Sequence, residues 1–276
     1  MPTQQSNADA FRSMHRGPGI LVLPNAWDAA SARIFGQSGF GAIATTSAGI
    51  AFTLGYPDGQ RIPREEMLQR VALIARSVSV PVTADVESGY GPSPEDAAQT
   101  AIAVIEAGAV GMNFEDATDN AAKPLAELSL QLEKIRAVIE AGQKAGVPLV
   151  LNARTDVYLA QVGSPESRYD ETIKRLSAYR DTGADCLFVP GIREKEIIAR
   201  LIRDLQFPLN ILVGPGSPSI PELQALGVAR ASVGSSAMRA ALGMAQRIAE
   251  ELKASGTYEA LTGAPSFDEV NKLMWH

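Results

Sequence analysis

The 276-residue sequence predicts an α/β fold, a (β/α)8 TIM barrel with a C-terminal helical extension. Three observations carry that prediction. Short runs rich in Val, Ile and Leu, apolar on both faces as buried parallel strands must be, alternate with longer stretches of helical period. Eight such units follow one another without a change of pattern, which favours a closed barrel over an open doubly wound sheet. The first strand also leads into Pro24-Asn25-Ala26-Trp27-Asp28, not into the G-x-G-x-x-G turn of an open dinucleotide-binding sheet.

Strands are expected near residues 20–25, 41–46, 82–85, 111–115, 149–154, 186–190, 209–213 and 231–234, and helices near 29–37, 64–78, 94–107, 128–145, 165–182, 194–205, 220–226 and 238–254. Local chemistry supports the helix limits. Ser93 can cap a helix that Pro94 opens, and Glu95 and Asp96 suit the positive end of its dipole before Gly108 stops it. Ser164-Pro165-Glu166 repeats the start signal and Gly183 the stop. Met67, Val71, Ile74 and Val78 form one apolar stripe toward a sheet. No Pro/Gly/Ser-rich linker or charge run divides the chain, so one domain is expected over 1–276, with a tail at 255–276. That tail carries Tyr258, Leu261, Phe267, Val270, Leu273, Met274 and Trp275, and needs a surface to cover, its own or a neighbour's.

Composition narrows the function. With 25 basic and 31 acidic residues the formal charge is −6, and no basic block is present, which argues against nucleic acid or an anionic membrane as partner. The N-terminal segment lacks the apolar core of a signal peptide, and no uncharged apolar run is long enough to span a bilayer; a cytoplasmic protein is expected. The lone Cys186 sits in an apolar strand and reads as a buried small residue. The two histidines, His15 and His276, lie in the first and last segments, so chemistry must run on carboxylates, hydroxyls, Lys, Arg and Tyr.

Barrel sites form at the carboxyl ends of the strands. There the sequence places Asp85-Val86-Glu87-Ser88-Gly89-Tyr90-Gly91, then Asn113-Phe114-Glu115-Asp116, then Asn152-Ala153-Arg154-Thr155-Asp156. Alternation along a strand lets Asp85 and Glu87 point the same way, and Glu115 on the next strand would join them. Converging carboxylates without His or Cys suit a hard divalent cation, Mg²⁺ or Mn²⁺, and Arg154 beside it could grip a carboxylate or phosphonate. A metal and a fixed cation together stabilise the enolate of a 2-oxo acid. The same acids could instead pair within the fold: Asp156 could salt-bridge Arg154 or cap a helix, and Asp116 could support the site from behind. Gly214-Pro215-Gly216 and Gly234-Ser235-Ser236 end the last two strands, where barrels commonly seat phosphate; this makes Gly214 a substrate-binding candidate, although tight turns explain those glycines equally well.

Taken with Thr46-Ser47-Ala48-Gly49-Ile50, Gly55-Tyr56-Pro57-Asp58 and Ala153-Arg154-Thr155-Asp156, these runs resemble the isocitrate lyase and phosphoenolpyruvate mutase superfamily over roughly residues 20–250. The resemblance implies Asp85 as the direct Mg²⁺ ligand, with Glu87, Asp58 and Glu115 acting mainly through water. It implies Arg154 on the substrate carboxylate or phosphonate, and Thr45, Thr46 and Ser47 as hydrogen-bond donors to that carboxylate. It also implies a homo-oligomer, a dimer or tetramer whose last helix packs on a neighbour. The K-[KR]-C-G-H loop of isocitrate and methylisocitrate lyases is replaced by Asp116 to Leu125, without Cys or His, and the K-x-x-N-S-L loop of the mutases is missing. The reading is therefore a Mg²⁺-dependent lyase for a small 2-hydroxy or 2-oxo di- or tricarboxylic acid, by C–C cleavage or decarboxylation, with water, Tyr90 or Lys123 as proton donor. The alternatives are a phosphonopyruvate-type C–P bond enzyme and a non-catalytic 2-oxo acid binding protein.

Overall fold

Parallel strands close almost completely into a ring in the computed structural model, which describes residues 3–275; Met1, Pro2 and His276 lie outside the described residues. The strands are β1 (Leu21–Leu23), β2 (Asn25–Ala26), β3 (Ile43–Thr45), β4 (Val82–Asp85), β5 (Gly111–Glu115), β6 (Val150–Arg154), β7 (Cys186–Val189), β8 (Leu209–Leu212) and β9 (Arg230–Ser232). Their order, β1-β9-β8-β7-β6-β5-β4-β3-β2, puts β1 and β2 at the two ends. These two are halves of one strand interrupted at Pro24, which has no N–H to give a ladder. One half pairs with β9 and the other with β3, so the expected eight-stranded barrel closes at that seam.

The helices are α1 (Gln4–Met14), α2 (Ala29–Gln37), α3 (Ser47–Thr53), α4 (Arg64–Arg76), α5 (Pro94–Glu106), α6 (Leu128–Lys144), α7 (Pro165–Thr182), α8 (Lys195–Leu205), α9 (Ile220–Leu226), α10 (Ser236–Ala254) and α11 (Phe267–Met274). Their starts follow the local chemistry. Ser93 and Asp96 form a reciprocal capping box at α5, with Pro94 in the first turn, and Gly183 ends α7 in the left-handed conformation. The stripe Met67, Val71 and Ile74 of α4 is buried in the main core, while Val78 falls just past the helix end and is partly buried.

Two helices have no counterpart among the expected elements. α1 lies across the amino-terminal end of the barrel, where Phe11 is buried with Leu21, Leu23, Ala42, Ala44, Val110 and Val150. α3 starts immediately after β3, capped by Thr46. α10 behaves differently from the other barrel helices: of its 19 residues only Met238 is buried, and Leu242, Met244 and Leu252 are exposed. Beside its start, an apolar hollow of about 600 Å³ opens on the barrel flank, walled by Phe35, Phe40, Val213, Ile220 and Val233. The tail covers its own barrel only in part. α11 packs on α2, where Arg33 donates to Leu273 O, yet Tyr258, Phe267 and Trp275 stay exposed. No helix among the described residues is long and apolar enough to cross a membrane.

Candidate active site

The register of the parallel ladder decides which side chains meet at the carboxyl end of the barrel. Glu115 and Arg154 are directly opposed on β5 and β6, and Asp85 opposes Asn113 on β4 and β5. Arg154 Nη1 lies 2.8 Å from Glu115 Oε2, and its Nε and Nη2 donate to the two oxygens of Asp156 at 2.5 and 2.8 Å. Burial works against the guanidinium charge, but Glu115 and Asp156 outweigh it and hold the pKa of Arg154 above its ordinary value. The alternative in which Asp156 salt-bridges Arg154 is therefore realised. Asp156 is in turn anchored by Asp116, which is fully buried and accepts from Asp156 N, Thr155 Oγ1, Arg175 Nη1 and Tyr179 Oη at 2.9, 2.7, 3.1 and 2.6 Å.

Asp85, Glu87 and Asp58 gather on the other side of the mouth. Asp85 and Glu87 are buried, whereas Asp58 belongs to the exposed loop between α3 and α4. No ion pair links any of the three to a protein cation among the described residues, because Arg154 is already engaged by Glu115 and Asp156. Burial first, then the charges of Asp58 and Asp85, push the Glu87 carboxyl up to about 8. Asp58 is also raised, by partial desolvation of its carboxyl and then by Asp85. Asp85 Oδ2 accepts from the N–H and the hydroxyl of Ser47 at 3.1 and 3.0 Å, while Oδ1 is buried without a hydrogen-bond partner.

That orphaned oxygen and the unneutralised carboxylates fit a hard divalent cation. Among the described residues no three carboxylates close into a ready cage. The set therefore suits an ion that keeps most of its waters, as Mg²⁺ does.

The other expected site residues have definite places. Thr45 Oγ1 accepts from Asp85 N at 2.9 Å, Thr46 Oγ1 caps α3 by accepting from Gly49 N, and Ser47 holds Asp85, so all three hydroxyls first serve to orient the mouth. Tyr90 Oη is buried and without a partner; burial and then Glu87 and Asp85 raise its pKa, so it retains its proton. Gly214 follows β8. It forms a tight turn in which its N–H donates to Ser217 Oγ and its carbonyl accepts from Ser217 N, and it borders the flank hollow. Lys123 is exposed, in a short hairpin where Thr118 N donates to Pro124 O and Ala126 N to Asp116 O.

Several residues that shape the site escaped the sequence reading. Asn25 joins three elements: its Nδ2 donates to Thr45 O, and its Oδ1 accepts from Val233 N and Gly234 N. Gln60 ties two loops, with its N–H on Glu87 Oε2 at 2.8 Å, its Nε2 on Ser88 Oγ and its Oε1 accepting from Tyr90 N. The only available signal was the place of Asn25 at the end of the first strand and of Gln60 just after Asp58-Gly59. A crevice of about 750 Å³ opens outside the loop that carries Ser88 and Tyr90, bounded also by Gln60, Arg61, Thr118 and Gln131, and none of Asp58, Asp85, Glu87, Glu115 or Arg154 lines it.

The family profile of phosphoenolpyruvate phosphomutase matches residues 11–253. A solved structure from Burkholderia cenocepacia J2315, described as a lyase/mutase, shares 41% identity and a TM-score of 0.92, covering 98% of this chain and 95% of that one. The crystal structure of 2,3-dimethylmalate lyase, a PEP mutase/isocitrate lyase superfamily member, is 29% identical with a TM-score of 0.84, covering 99% and 93%. Oxaloacetate decarboxylase of Bradyrhizobium diazoefficiens is 27% identical over 278 residues, covering 98% of this chain and 93% of its own.

Proposed function

The chain belongs to the phosphoenolpyruvate phosphomutase family, within the isocitrate lyase/PEP mutase superfamily, and from that membership we propose a Mg²⁺-dependent carbon–carbon lyase. Its substrate is a small 2-hydroxy or 2-oxo di- or tricarboxylic acid, cleaved or decarboxylated through an enolate. The observation that carries the reading is the group of Asp85, Glu87 and Asp58, paired with no protein cation among the described residues, with Asp85 Oδ1 unpartnered there, across the mouth from Arg154. Relatives that act on dimethylmalate and oxaloacetate support the substrate class.

Bound at Asp85, Mg²⁺ would supply Lewis-acid stabilisation for negative charge developing on the substrate oxygen. Arg154, pinned by Asp156 and Glu115, presents a guanidinium whose position is fixed before substrate arrives, so the substrate carboxylate is oriented at little entropic cost. Tyr90 is the proton donor this geometry favours. Its hydroxyl has no protein acceptor competing for the proton, whereas Lys123 is exposed.

The test incubates the protein and Mg²⁺ with oxaloacetate and substituted malates, with product acids followed by coupled assay. Turnover that falls about a hundredfold or more in Tyr90→Phe is expected. No turnover with any acid, despite binding, would leave a binding protein, and phosphorus NMR on phosphonopyruvate reports the C–P alternative.

We also infer a homo-oligomer. The exposed apolar residues of α10 and the apolar hollow on the flank are both unsatisfied in one chain, and a second copy can supply what each lacks.

A further inference from the structure

The loop that follows β4 carries Glu87 and Tyr90, and it has an unusual backbone. Glu87, Gly89 and Tyr90 are all left-handed, at φ 52, 90 and 55. For the two non-glycine residues such conformations cost about 1–3 kcal/mol each and persist only where the surroundings hold them. The holding groups can be named one carbonyl at a time. Val86 O accepts from Gly89 N, Glu87 O from Glu115 N, and Gly89 O from Thr100 Oγ1. Two of the remaining three go to one side chain: Lys134, on α6, donates from Nζ to Ser88 O at 2.7 Å and to Gly91 O at 3.0 Å.

Lys134 is otherwise an expensive residue to place there. The residue is 4% exposed, its ammonium sits 5.4 Å from the centroid of Phe114, and among the described residues no carboxylate is within ion-pair distance, although the charge of Asp96 acts on it. Its acceptors are the two backbone oxygens. A buried cation with only carbonyl partners is costly unless the geometry it fixes is needed.

We propose that Lys134 is a positioning residue: its ammonium clamps the strained loop 86–91 at Ser88 O and Gly91 O and thereby aims Glu87 and Tyr90 into the site. It touches no reacting atom. The effect on the cation rests on the metal reading above; the effect on the loop does not.

Two measurements on Lys134→Met and Lys134→Arg separate these layers. The first is amide hydrogen exchange without metal. In K134M, exchange at Gly89, Tyr90 and Glu115 should speed up by about tenfold or more while β6 to β8 stay unchanged, and K134R, which keeps charge and donors, should restore protection. The second is Mg²⁺ affinity by calorimetry, where K134M should weaken binding by about 10- to 100-fold and K134R by much less, as expected when a supporting partner of a ligand is lost. Unchanged exchange in K134M, or a K134R variant as loose as K134M, would overturn the proposal. Should K134M fail to fold, Lys134→Gln takes its place under the same criteria. A wild-type protein that binds no Mg²⁺ would overturn the metal reading alone, because the exchange comparison still decides the role of Lys134.

Discussion

Asp116 accepts four hydrogen bonds in a place no water reaches, and through the N–H of Asp156 it fixes the carboxylate that pins Arg154. Removing it would leave the Tyr179 hydroxyl, the Thr155 hydroxyl and the N–H of Asp156 without this buried acceptor, and would leave Arg175 with only Glu171 and Ala126 O. Asp116→Ala should cost about 3–5 kcal/mol in urea unfolding, whereas Asp116→Asn, which keeps an acceptor, should cost less. His15 offers a second test, at the closed end of the barrel. Its Nδ1 meets Phe11 O, its Nε2 lies 3.5 Å from Arg230 Nη1, and Arg12 and Arg16 add positive charge. Burial, then Arg230, lower its pKa from 6.5 to about 3. A depressed folded pKa means that the stabilising neutral form is fully present above the unfolded value and is lost as pH falls from 6.5 toward 3. Thermal melts across that window should decline less steeply for His15→Gln than for wild type. Asp85, Glu115 and Arg154 could be read from the sequence because strand ends place them, whereas Glu87 lies beyond the end of β4 in a left-handed conformation, so the expected alternation does not set its direction. Asn25, Gln60 and Lys134 could not, because each acts across elements distant in the chain, with no spacing to mark it.

The loop 86–91 shows how closely an element can be specified. Gly89 sits at φ 90, and a Cβ there would come within 2.6 Å of the Phe114 ring, so neither the backbone nor the space admits a side chain. Gly89→Ala should destabilise the fold by about 1–3 kcal/mol and abolish any Mg²⁺-induced rise in melting temperature. Helix limits were legible where caps marked them, as at Ser93 and Gly183. α3 was not, because its seven residues follow β3 with no linker and its cap, Thr46, reads equally well as the end of a strand. The break at Pro24 shows the same limit: an apolar run announces a strand, but the residue that splits it matters only once both neighbours are in place.

On the scale of the molecule, the ring of strands was predictable because eight repeated units leave few alternatives. The posture of α10 was not, because its apolar pattern is the same whichever barrel it covers. Leu242, 48% exposed on that helix, gives the test: Leu242→Glu should shift the protein toward monomer in light scattering and lower its melting temperature. If copies trade α10, the trade must be mutual to stop at a finite assembly; a one-way hand-on would grow without end. Mutual exchange also makes each subunit hostage to its neighbour. A chain with a damaged α10 keeps its own barrel intact and injures the sound copy beside it, so mixing the two in one cell should depress activity below the mean of the parents.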